Sequence, residues 1–187
     1  MRNFFSLCFL MSLATQVAAT PQSYKLNLSE SQIYFSYVLQ GIEFTGTIPI
    51  ASAEISLDFG ELSNSSISVA FDVSEVHAGI APLTEAIKSK SVLATGSFPI
   101  ATFASETIKK AGNTAQLNGF LTLRGTTNPV TLHAELFRQR GSEIGDLNEL
   151  VVLITGTFNR HVFGASGYSS IVDQTIGLRV IATLDRN

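Results

Sequence analysis

The chain has 187 residues, with 12 lysines and arginines against 15 acids and a formal net charge of −3. That balance offers no basic face for a nucleic acid, and a single cysteine, Cys8, leaves no pair for an internal disulfide and no cysteine-metal cluster. Charged residues are 14% and hydrophobic ones 45%, so the chain either builds a large core or keeps apolar surface for a ligand or a membrane.

Residues 1–19 read as a cleavable secretory leader. Arg2 supplies the positive start, Phe4 to Leu13 an apolar run, and Val17-Ala18-Ala19 a small-residue exit. The run is about ten residues, short of the roughly 20 needed to span a bilayer. Cleavage after Ala19 is expected to leave residues 20–187 as one domain, an exported protein in the periplasm. It would hold no cysteine, and its length suffices for one good core.

From Thr20 onward period-two alternation dominates, the mark of half-buried strands. Ile33, Phe35, Tyr37 and Leu39 share one face, and Phe44 to Ile50 extends a bent early strand. Ala53, Ile55, Leu57 and Phe59 form the next face, followed by Ile67, Val69, Phe71 and Val73. Pro82 to Leu93 breaks the alternation: Leu83, Ala86, Ile87 and Lys90 fall at three- and four-residue spacing, predicting a short amphipathic helix opened by Pro82. Pro99 to Ala104 is a short strand with Phe103 inward.

The stretch "GFLTLRGTTNPVTLHAEL", residues 119–136, alternates on both sides of a turn. Leu117, Leu121 and Leu123 form one face, and Val130, Leu132, Ala134 and Leu136 continue it after the turn. Gly141 to Asn148 reads as the longest loop, then Leu150 to Phe158 as a largely apolar strand. Ile176, Leu178, Val180, Ala182 and Leu184 complete the set. About eight antiparallel strands and one helix leave a barrel or a sandwich, which periodicity does not separate.

The hairpin "LNGFLTLRGTTNPVTLHAEL" resembles the G-x-L-T-[IL]-R-G-V-T-[KR]-P-V-T-L signature of the YceI-like family, exported bacterial proteins of lipocalin-like architecture. Pro99 and Phe103 in "SFPIATFAS" are similar to that family's YPxxxF segment. Val69, Asp72 and Gly79 resemble a further strand, and Gly156, Asn159, Arg160, Phe163 and Gly164 a G-x-[IL]-[NS]-R-x-x-F-G element. The early family histidine is absent from Glu30-Ser31-Gln32-Ile33-Tyr34-Phe35, and "AIKSKSVL" lacks the histidine and aromatic of the family's helix region.

The resemblance implies an all-β fold, an eight-stranded antiparallel lipocalin-like barrel with one short α-helix, and no catalytic residues. It implies an interior that holds a long isoprenoid lipid, polyprenyl or quinone, against Phe35, Tyr37, Leu57, Val69, Phe71, Phe103, Leu121, Leu123, Leu132, Phe158, Phe163 and Val180. Arg160 and His161 are the candidate headgroup contacts, although a structural role for Arg160 and for Arg124 is the stronger expectation. Transient contact with the inner membrane or a quinone-using membrane protein would follow.

The other functional readings are weaker. His77, His133 and His161 lie on separate segments without the spacing of a metal site. Ser166 in "FGASGYSS" lacks the G-x-S-x-G elbow of a hydrolase. No metal, cofactor or enzymatic activity is expected. The alternative from another class is an exported stress-protective or interaction protein whose barrel is solid and binds through its outer face.

Overall fold

The computed structural model describes residues 20–138, 143 and 145–187; the expected leader lies outside them, as does part of the loop expected over 141–148. Ten strand segments form one antiparallel sheet among the described residues: β1 (Gln22–Leu26), β2 (Gln32–Leu39), β3 (Ile42–Ile48), β4 (Ile50–Leu57), β5 (Ser66–Asp72), β6 (Ile100–Ala111), β7 (Thr114–Leu123), β8 (Thr126–Arg138), β9 (Glu149–Asn159) and β10 (Thr175–Arg186).

These ten segments make eight staves. β3 and β4 are one strand bent at Pro49, which has no N–H to give to a ladder. β1 and β2 are a second bent strand, and the two pair along their length, β2 with β3 and β1 with β4. β10 closes the ring by sharing its free edge: Gly177 to Ile181 pair with β2, and Leu184 to Arg186 pair with β1. The result is a closed eight-stranded up-and-down barrel. Closure leaves no exposed sheet edge, and it decides for the barrel over the sandwich.

Each strand puts its apolar series inward, as the alternation requires. Three boundaries differ from the sequence expectation. β1 is an added strand, five residues that bury Tyr24 and Leu26. β6 runs twelve residues rather than the short 99–104 strand, because a register shift between Ser105 and Thr107 carries its pairing on to Ala111.

The helix, α1 (Ala81–Lys88), stops before Leu93. Its C-cap Ser89 leaves the helical region and donates its hydroxyl to Ala86 O at 2.7 Å, a local bond that competes with helix continuation.

α1 covers one end of the barrel. It is held by a strap after β5, where His77 exchanges backbone hydrogen bonds with Thr47 and the Tyr37 hydroxyl donates to Ala78 O at 2.9 Å. At the other end Tyr24, Leu26, Ile55, Leu57, Leu150, Ala182 and Leu184 pack together.

Candidate functional site

The inward faces do not meet in the middle. The buried side chains fall into four clusters along the wall, and between them lies a cavity of about 850 Å³. That is toward the upper end of the ~300–1,000 Å³ usual for ligand sites.

Its lining is almost wholly aliphatic and aromatic. Of the twelve interior residues expected from the sequence, eleven line it: Phe35 and Tyr37 on β2, Leu57 on β4, Val69 and Phe71 on β5, Phe103 on β6, Leu121 and Leu123 on β7, Leu132 on β8, Phe158 on β9 and Val180 on β10. Phe163 is the exception. It is 1% exposed and packs beneath the wall with Val73, Ala101, Leu121 and Leu123, edge-on to Phe158 at 5.5 Å between centroids. It supports Phe158 rather than lining the space.

The rings of Phe35 and Tyr37 on the lining lie nearly parallel, and the stack continues to Phe44, which does not line the cavity. Phe35 stacks on Tyr37 at 5.9 Å and Tyr37 on Phe44 at 5.7 Å. Such a wall presents flat apolar faces. The hydroxyl of Tyr37 is spent on Ala78 O, and burial pushes its pKa up, so it stays protonated.

Arg160 borders the cavity but its guanidinium is engaged elsewhere. Nε donates to Asp173 O at 2.9 Å, one Nη to Ala165 O and to Gly167 O, and the other Nη to Val172 O at 2.9 Å. The side chain is 4% exposed, and desolvation lowers its pKa. It clasps the segment between β9 and β10, which carries Tyr168, Ile171 and Val172 to the cavity's capped end. Its expected headgroup role gives way to this structural one.

His161 does not line the cavity. Its backbone N–H donates to Asn159 Oδ1 at 2.9 Å, and its buried Nε2 has no hydrogen-bond partner among the described residues. Arg124, at φ 53°, likewise ties turns together, donating to Gly164 O and to Lys90 O. The three histidines stay apart, and among the described residues no three metal-ligating side chains come together.

Two parts of the lining were not foreseen. One is the cap, where Leu83, Ile87 and Leu93 face the cavity. The other is the β6–β7 hairpin at the far end, where Ile108, Lys110, Asn113 and Thr114 join it.

Comparison with known proteins gives three results. The family model described as YceI-like domain matches residues 24–184. Protein YceI of Salmonella agona is 28% identical over 141 residues, 74% of each chain. Among solved structures, BcnA of Burkholderia cenocepacia superposes with a TM-score of 0.76 at 19% identity, over 85% of this chain and 99% of that one. A polyisoprenoid binding domain from Saccharophagus degradans, implicated in plant cell wall breakdown, superposes with a TM-score of 0.62 at 11% identity, over 89% and 99%. At those identities the two structural matches speak for the barrel fold alone.

Proposed function

This chain belongs to the YceI-like family, and from that premise we propose that it is a periplasmic carrier for one long isoprenoid lipid, polyprenyl or quinone, held in the barrel without being chemically altered. The observation that carries the reading is the cavity itself. Leaving a space of about 850 Å³ walled almost wholly by apolar side chains without packing partners carries a cost in lost contacts. Filling it with a tail removes that cost; filling it with water sets water against walls that offer almost nothing to bond.

The wall suits a flexible, methyl-bearing chain better than a polar or planar ligand. Each isoprene unit buried from water is worth about 4 kcal/mol at roughly 0.8 kcal/mol per methylene-sized group. Three units give about 12 kcal/mol, which leaves micromolar affinity after about 4 kcal/mol of association cost.

From a bilayer, where the tail is already dry, transfer is close to neutral, and near-neutral exchange fits a shuttle or buffer. The periplasmic location rests on the leader pattern of residues 1–19. The binding function named for the Saccharophagus degradans domain points the same way.

The experiment is to purify the protein from its native envelope, extract it with organic solvent and identify what is released by mass spectrometry. One dominant isoprenoid near one per chain is expected. A clean extract from protein that also stays empty after incubation with isoprenoid quinones and phosphates contradicts the carrier reading and favours binding at the outer face.

A further inference from the structure

The two ends of the cavity are chemically unlike, and residues that both line it and reach solvent mark them. At the capped end these are Tyr168 and Ile171, 48% and 40% exposed. At the other end they are Phe59 and Leu136, 38% and 44% exposed, with Lys110, Gly112 and Asn113 of the β6–β7 hairpin.

Lys110 is there because of the bulge in β6. Counting by twos from Ala101 and Phe103 would send Ser105, Thr107 and Lys109 inward. The shift between Ser105 and Thr107 reverses the faces, so that Ile108 stands opposite Leu117 and Lys110 opposite Ala115, both on the inner wall. The Ser105 hydroxyl fixes the distortion by accepting the Ile67 N–H at 2.9 Å.

The lining contains two charged residues among the described ones, Lys110 and Arg160, and no carboxylate. Arg160 has its guanidinium bonded to backbone carbonyls. Lys110 Nζ has no hydrogen bond or ion pair among the described residues. A cation on the inner wall at an open end, with the Asn113 carboxamide three residues on in the same hairpin and apolar walls behind it, is an arrangement for an amphiphile with an anionic head.

We infer that the headgroup end of the site is the β6–β7 mouth and that its ligand class is an isoprenoid phosphate, with the phosphate against Lys110 and Asn113 and the tail running toward the cap. The inference rests on the carrier reading and narrows it from isoprenoids in general to anionic ones. A phosphate at this mouth meets a cation and keeps part of its hydration, whereas the capped end offers the apolar Leu83, Ile87 and Leu93 and an Arg160 already bonded to backbone carbonyls.

The test measures binding of geranylgeranyl phosphate and of uncharged geranylgeraniol, each below its micelle threshold. The proteins are the unmodified chain, K110Q, K110E and the outward-facing neighbour control K109Q. The expected result is a preference for the phosphate that falls about fivefold in K110Q, the size of a partly exposed charge contact. K110E falls further, and 0.5 M salt erases the preference. Geranylgeraniol binding stays within twofold in every variant, which also shows that each one folds.

Equal binding of the phosphate by K110Q and the unmodified chain overturns the inference and leaves the carrier intact. So does an equal loss in K109Q. Failure of the unmodified chain to bind either probe overturns both.

Discussion

The ring of Phe35 occupies the space that a Cβ on Gly46, its cross-strand partner in β3, would need. The arrangement recurs around the barrel. Leu132 Cδ2 lies 2.5 Å from where Gly156, its partner in β9, would carry Cβ, and Phe103 Cζ lies 2.8 Å from the same point on Gly119. In each case a glycine on the inner face leaves room for a large side chain to lie close against its backbone, and at Gly46 and Gly119 for a backbone carbonyl as well.

The consequence differs by site. A methyl at Gly46 meets the His77 carbonyl as well as the Phe35 ring, and the carbonyl belongs to the strap that holds the cap. G46A is expected to cost about 3 kcal/mol in urea unfolding. At Gly156 the nearest obstacle is the flexible end of Leu132, so G156A costs about 1 kcal/mol and instead swings Leu132 inward. Its signature is a larger loss of isoprenoid affinity than of stability. G46A unfolding like the unmodified protein would contradict this account of the walls.

Arg160 makes a second prediction. Lysine carries the same charge but cannot present the planar fork that reaches Asp173, Ala165, Gly167 and Val172 together. R160K is expected to lose about 3 kcal/mol of stability, the worth of one or two charge-assisted bonds, and to raise hydrogen exchange over residues 165–173. If Arg160 served a headgroup instead, R160K would change lipid affinity and leave that exchange untouched.

Acid sensitivity should appear at the turn that frames the open mouth. Asp58 accepts N–H groups from Glu61 at 3.0 Å, from the Asn64 side chain at 3.2 Å and from Gly60 at 2.9 Å, and these bonds hold its pKa below the usual carboxylate value. Phe59 and Leu62, within that turn, line the cavity. Because the folded pKa is lowered, the stabilisation is complete above the unfolded value of about 4 and is lost as pH falls through the folded one. The melting temperature should therefore drop below about pH 4, and less steeply in D58N. Asp72, lowered by its bonds to Ser74, keeps a residual slope. Identical slopes for the two proteins would rule out the Asp58 contribution.

The inner wall was legible because a barrel strand with one dry face writes its orientation into every second residue. The bent early strand and the eight staves followed from that same pattern, and closure came only from resemblance, since alternation is identical in a sandwich. Phe163 was placed on the inner wall by resemblance alone; it lies in a 3-10 turn, Arg160–Phe163, where alternation has no meaning.

The mouth was missed for another reason. "SETIKKA" reads as polar, and the bulge that turns Lys110 inward leaves one trace, the odd spacing between Phe103 and Ile108. Arg160 was readable as a charge after an apolar strand, but its carbonyl partners come from a segment five to thirteen residues on, which only the folded chain assembles.

The most direct test of the central claim is to photo-crosslink a diazirine-bearing geranylgeranyl chain to the protein and map the labelled residues by mass spectrometry. The expected labels are inward residues such as Leu121, Leu132 and Val180, competed away by unlabelled isoprenoid. Labels confined to outward residues such as Phe120, His133 or Phe137, or labelling that excess isoprenoid does not compete, would contradict a lipid held inside the barrel.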